Sequence, residues 1–174
     1  MVYGEARERR VYLDMDGVVA DFAGHFRRVF QLDHRLIGAK AMWRHIHGVE
    51  TFFRDIAPIP GAVEFFHQLA PAGPIMITAC PAENYGRVAG QKREWAREIL
   101  APNVAVLPVI GGKNKALFMH QPGDLLIDDH GPNIEAWRMA GGVGILHRSF
   151  SETLSALQHH GFLGAASAAQ FGGV

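Results

Sequence analysis

Five short apolar runs recur along the chain, at residues 10–14, 74–78, 104–109, 124–128 and 142–146. Several are continuous in Val, Ile and Leu, without polar alternation. That is the pattern of strands covered on both faces, as in a parallel sheet. Stretches of helical period lie between them. From Asp21 onward, Phe22, Phe26, Val29 and Phe30 fall on one face. After Pro60-Gly61, residues 62–70 bring Val63, Phe66 and Leu69 or Ala70 together. Residues 91–100 carry Trp95 and Ile99, with Val88 upstream on the same stripe, and residues 133–140 carry Ile134 and Trp137 and stop at Gly141. Ser149 followed by Glu152 is a capping-box signal for a last helix, with Leu154 and Leu157 facing inward.

Alternating strands and helices imply βαβ units. The expected fold class is α/β: a doubly wound, mostly parallel, five-stranded Rossmann-like sheet. The gap between the first and second runs is far longer than a crossover needs, and it is rich in helix formers and aromatics. It predicts a small helical cap over residues 20–59, inserted after the first strand. The core then comprises 10–19 and 60–164 of a single domain spanning 1–174, with 165–174 frayed.

Composition narrows the function. The 174 residues carry 17 Lys+Arg and 17 Asp+Glu, so the formal net charge is zero. A whole-protein electrostatic footprint for nucleic acid is missing, and no extended nucleic-acid binding is expected. The single cysteine, Cys80, cannot make an internal disulfide, which points to a reducing compartment. No apolar run is long enough to span a bilayer, and the polar N-terminus does not resemble a signal peptide. A soluble, cytoplasmic protein is expected. A homodimer is left open.

In open α/β sheets, ligands sit at the carboxyl ends of the strands. The first run ends in Asp14-Met15-Asp16-Gly17-Val18, the second in Thr78 and the fourth in Asp128-Asp129, while Gly111-Gly112-Lys113-Asn114-Lys115 precedes the fourth. Four carboxylates, a hydroxyl and one or two ammonium groups would therefore share one rim. Uncompensated carboxylates repel and some would protonate; a hard divalent cation such as Mg²⁺, with oxygen ligands, relieves this. Taken alone, Asp16-Gly17 is an ordinary turn. Asp14, ending an apolar strand, is costly there without a partner.

The run Asp14-Met15-Asp16-Gly17-Val18-Val19-Ala20-Asp21-Phe22 resembles the first motif of the haloacid dehalogenase-like phosphohydrolases, in particular their 5′(3′)-deoxyribonucleotidase branch and its bacterial and phage relatives. Three later stretches agree in order and spacing: Phe52-Phe53 followed by Pro58-Ile59-Pro60-Gly61-Ala62, then Ile77-Thr78-Ala79-Cys80-Pro81, then Gly123-Asp124-Leu125-Leu126-Ile127-Asp128-Asp129. The resemblance implies a Mg²⁺-dependent phosphatase for a small phosphomonoester, a (deoxy)nucleoside monophosphate in this branch. Asp14 would take the phosphoryl group and Asp16 would serve as general acid and then base. Thr78 would donate to the phosphoryl oxygens and Lys115 would neutralise charge. Asp129 would bind Mg²⁺ directly with Asp14 and the Asp16 carbonyl, and Asp128 would stand beside them.

Other assignments have plainer alternatives. Lys113 competes with Lys115 but reads as a solvated loop charge. Lys92, three residues before Trp95, matches a lysine of the branch and could touch phosphate, although a solvated helix lysine is the commoner case. Ala79 would line the phosphate site. Phe22, Trp43, Phe52 and Phe53 are candidates to stack on a nucleobase, against the plainer reading that they pack the cap. Phe26 and Phe30 are assigned to the cap core. The ten histidines lack zinc spacing, and Cys80 reads as a small buried hydrophobe. A phosphatase for another metabolite, such as a sugar phosphate, and a non-catalytic phosphate-binding module are the competing functions.

Overall fold

The structure is a computed structural model that describes residues 8–164; the expectation for 165–174 lies outside the described residues. Strands β1 (Val11–Leu13), β2 (Ile75–Cys80), β3 (Val106–Ile110), β4 (Leu125–Asp128) and β5 (Val143–Leu146) form one sheet in the order β3-β2-β1-β4-β5. Every pairing is parallel. Helices α1 (Phe22–Phe30), α2 (Ala39–His47), α3 (Ala62–Leu69), α4 (Tyr85–Ile99), α5 (Gly131–Met139) and α6 (Phe150–His159) connect them, with 3-10 turns at His34–Leu36, Ala70–Ala72 and Gly112–Phe118.

The apolar runs lack alternation because both sheet faces are covered. Successive side chains of β1 and β4 split between two cores. Val11, Leu13, Leu125 and Ile127 join Phe26, Phe65, Trp95 and Leu154 in the larger one. Tyr12, Leu126, Ile77 and Val109 join Ile134 and Trp137 of α5 in the smaller one. There, Tyr12 and Trp137 meet edge to face with centroids 5.0 Å apart, and the indole N–H of Trp137 donates to the Asp124 carbonyl at 2.9 Å. Burying that aromatic pair without an orphaned N–H adds about 1 kcal/mol beyond its area burial. Asp124 is a structural carboxylate: it accepts from the backbone N–H groups of Arg10, His120 and Gln121 and ties β1 to the turn before β4.

The strand order reverses between β1 and β4, which opens a crevice at their carboxyl ends. Leu13 lies opposite Ile127, and the Asp14 N–H donates to the Ile127 carbonyl at 2.9 Å. Asp14 therefore leaves the sheet beside Asp128. The segment from 20 to 59 leaves and returns through one paired neck, where Asp21 N–H donates to Ala57 carbonyl at 2.9 Å and Ile59 N–H to Val19 carbonyl at 2.8 Å.

Several local expectations change. Val29 is exposed, because the inward stripe of α1 runs through His25 and Phe26. Helix α3 buries Ala62, Phe65, Phe66 and Leu69, with Val63 only half-buried. Helix α4 begins at Tyr85, six residues before the expected start at 91, because Asn84 turns the chain in the left-handed region (φ 58°) and Gly86 and Gly90 are tolerated inside. Strand β2 continues past Thr78 to Cys80, held by pairing with β3. Ser149 caps α6 as expected, accepting from Glu152 N–H.

Candidate active site

After β1 the chain wraps around one carbonyl. The N–H groups of Val18, Val19 and Ala20 all point at Met15 O, and Gly17 N–H donates to Ala20 O at 2.9 Å. Gly17 sits at φ +78°, and a Cβ there would lie 2.2 Å from Asp129 Oδ2. Glycine is thus required both for the turn and for the approach of the two acidic loops. Gly17→Ala should cost about 1–2 kcal/mol from the backbone alone and displace Asp129, so that thermal denaturation and turnover both report a loss. An unchanged activity with a lowered Tm would show that Asp129 need not stay where it is.

Two lysines bind the carboxylates into one cluster. Lys115, 1% exposed, places its ammonium 2.7 Å from Asp14 Oδ1 and 2.6 Å from Asp128 Oδ2. Asp128 is fully buried and also accepts from His130 N–H at 2.8 Å and from the Asn133 amide at 3.0 Å. Lys92, 0% exposed, donates to Asp16 Oδ2 at 2.5 Å, to Thr78 Oγ1 at 2.9 Å and to the Ala79 carbonyl at 2.8 Å, with its ammonium 4.6 Å from the Phe53 ring centroid. The solvated helix lysine of the sequence reading is thereby corrected. Lys92 shares the inward stripe of α4 with Val88, Trp95 and Ala96, a spacing visible in the sequence once the helix is started early enough. Lys113 is exposed, whereas Lys115 sits within the 3-10 turn and not at its start.

Burial dominates the protonation of the acids. It pushes the Asp14 carboxyl up to about 8; Lys115 opposes this, while Asp128 and Asp16 add to it. Burial followed by Asp128 and Asp16 raises Asp129 to about 6. Burial works to lower Lys115, but Asp14 and Asp128 outweigh it and hold the ammonium above its usual value. For Asp14 the sign is definite. A carboxyl raised in the folded state keeps a proton that the unfolded chain releases, so its contribution to stability is present at pH 4 and is lost as pH rises to 8. In a chelator, Asp14→Asn should therefore gain Tm relative to wild type progressively from pH 4 to 8. A constant offset across that range would contradict the assignment.

Ligand oxygens of Asp14, Asp128 and Asp129 lie within 4.8 Å of one another, the grouping capable of holding a metal ion among the described residues. The donors are all oxygen, the type that a hard cation such as Mg²⁺ takes. The Asp16 carboxylate stands outside this group, held by Lys92, and its Oδ1 is buried with no hydrogen-bond partner. Excess negative charge and an orphaned acceptor both fit an added cation or an incoming proton-bearing group.

The cluster opens into a cavity of about 340 Å³. Asp14, Asp16, Ala79, Lys115 and Asp129 line it from the sheet side, and Phe22, Ala23, His34 and Arg35 from the 20–59 segment. Thr78 is fully buried behind this wall. Phe22 thus reaches the cavity, touching His34 edge-on at 5.1 Å. Phe52 does not: at 1% exposure it packs against His25, Phe26 and Phe30 inside the segment. Trp43 lines a separate cavity of about 530 Å³ with Lys40, Arg44, His47 and Pro81. Phe53 lies between the two, stacked on Phe22 at 6.2 Å and tilted against Trp43 at 6.1 Å. His34, Arg35 and Asn133 were not singled out from sequence. Asp33 caps the turn that carries His34 and Arg35 and grips Arg35 by a two-pronged ion pair (3.0 and 2.7 Å), which holds the Asp33 carboxyl well below the usual range, and burial lowers His34. An Asp opening a short polar run was the available signal.

Five parallel strands in the order 3-2-1-4-5 thus place an acidic cluster at the β1/β4 crevice. The fold is shared with a haloacid dehalogenase family hydrolase from Deinococcus radiodurans R1 solved with bound phosphate and sodium, which matches with a TM-score of 0.56 and 17% identity over 91% of this chain and 99% of that one. At that identity the likeness shows the fold. The sequence pattern of the family described as "5' nucleotidase, deoxy (Pyrimidine), cytosolic type C protein" matches residues 37–160, and the chain belongs to that family. It is therefore a phosphoric monoester hydrolase of the deoxyribonucleotidase branch. The human cytosolic-type 5'(3')-deoxyribonucleotidase is 31% identical, covering 71% of this chain and 72% of that protein. The mouse mitochondrial 5'(3')-deoxyribonucleotidase is 27% identical, covering 71% and 66%.

Proposed function

We propose that the protein hydrolyses (deoxy)nucleoside monophosphates with Mg²⁺, through a phosphoryl group carried transiently on Asp14. The observation that carries the reading is the Lys115 bridge. It fixes Asp14 Oδ1, which also accepts from Met15 N–H at 2.8 Å, and leaves Oδ2 to attack phosphorus. Asp14 forms a bond to phosphorus, the bond to the sugar oxygen breaks, and Asp16 gives that oxygen a proton. Asp16 then takes a proton from water, which attacks phosphorus and frees Asp14. Lys115 balances charge on the nucleophile and the phosphoryl oxygens, and Thr78 and Ala79 border the path of those oxygens. Held by Asp14, Asp129 and Asp128, Mg²⁺ would neutralise the carboxylates and phosphate so that two anions can meet.

The segment 20–59 acts as a small cap in this reading, and Phe22 offers an aromatic face to the base. Trp43 could reach only a ligand that extends past Phe53. A cytoplasmic location goes with the reading, since the human relative is of cytosolic type and no described helix is long and apolar enough to cross a membrane. A panel of deoxynucleotides, ribonucleotides and sugar phosphates, assayed for phosphate release with Mg²⁺ and with chelator, tests it. Mg²⁺-dependent release with deoxynucleotides ranked first is expected. Equal rates on sugar phosphates would remove the substrate assignment; no release from any monophosphate would remove the reaction.

A further inference from the structure

Lys92 is fully buried, and an ammonium has three N–H donors and no acceptor. All three are engaged, by Asp16 Oδ2, Thr78 Oγ1 and the Ala79 carbonyl. The Phe53 ring lies 4.6 Å away, and Lys92 is not among the residues that line the catalytic cavity. No donor remains for a phosphoryl oxygen. Asp16, by contrast, lines the cavity and keeps Oδ1 buried without a partner.

We infer that Lys92 is a positioning residue for proton transfer and not a phosphate ligand: by holding Oδ2 of Asp16 it fixes the orientation of the carboxyl group whose proton goes to the leaving oxygen. When that proton departs, with the electron pair of the broken P–O bond passing to the leaving oxygen, Asp16 becomes a carboxylate, and the Lys92 ammonium already stands against it. The same ammonium fills an acceptor position of Thr78 Oγ1, so the Thr78 O–H is directed away from Lys92. The Phe53 ring and the stripe of α4 exclude water behind the pair, which strengthens both contacts.

The inference rests on the phosphohydrolase reading, and leaving-group chemistry separates the two. A nucleoside oxygen needs a proton to leave; a nitrophenolate does not. Lys92→Met should slow the first step, read in a single turnover as release of the leaving group, by about 10²-fold or more on a deoxynucleoside monophosphate and by less than about tenfold on nitrophenyl phosphate, and leave KM for both nearly unchanged. In an Asp16→Asn background the same substitution should have little further effect on the nucleotide. Equal losses on the two substrates would mark a structural role. A shared rise in KM would mark a phosphate contact. Either result overturns the inference while the wild-type activity stands. Lys92→Gln, which keeps a donor for Asp16, carries the same comparison if the methionine variant does not fold. Wild-type protein inactive on both substrates would instead remove the parent reading.

Discussion

Asp14→Asn should lose at least about 10⁴-fold in phosphate release, with no compensating change in KM. Asparagine keeps the shape of the side chain and the acceptor for Met15 N–H but has no anionic oxygen to bond to phosphorus. The loss should be equally severe on a nucleotide and on an activated aryl phosphate, because attack by Asp14 precedes any need for a leaving-group proton. This distinguishes it from a defect at Asp16. The variant should remain folded, since it removes a carboxylate that burial already holds largely protonated. Circular dichroism and a thermal melt check that; an unfolded variant would mean that the Lys115 bridge matters more to stability than to chemistry.

Lys115→Met is the second large effect, on activity and stability together. The ammonium is buried against Asp14 and Asp128, and removing it leaves two buried carboxylates without their shared counter-charge. Breaking such an arrangement costs about 3 kcal/mol or more. The cost should grow with pH. Without Lys115 the Asp14 carboxyl is raised further, so the variant keeps a proton that wild type releases near pH 8, and the gap in Tm between variant and wild type should be wider at pH 9 than at pH 6. Turnover should fall by about 10³-fold at neutral pH, because the nucleophile and the phosphoryl oxygens then lack the Lys115 counter-charge. A variant as stable as wild type at pH 8 would show that Asn133 and the His130 N–H suffice to hold Asp128.

The sheet was legible because parallel strands covered on both faces leave uninterrupted apolar runs, and the acidic rim because strand ends in this topology converge. Gly17 could be read as a turn; that a Cβ would strike Asp129 could not, since that contact joins distant segments. Lys92 was left between a phosphate contact and a solvated charge for a related reason. One charged residue on an apolar stripe looks like a solvated exception until Asp16 and Thr78 arrive from other strands to pair with it. Among the aromatics, composition alone cannot say which face a cavity and which face a core. Phe22 does the first and Phe52 the second because the paired neck at Val19–Ile59 and Asp21–Ala57 sets the orientation of the segment between them. Arg35 escaped notice because its place depends on the Asp33 grip at a short 3-10 turn, an element with little periodicity to detect.

The most direct test is acid quenching of wild-type protein during steady turnover of a deoxynucleoside monophosphate with Mg²⁺, followed by mass analysis of the peptide that carries Asp14. A phosphoryl adduct on Asp14, absent from Asp14→Asn, is the predicted result. Turnover with the adduct on a different residue, or Asp14→Asn releasing phosphate at the wild-type rate, would contradict it.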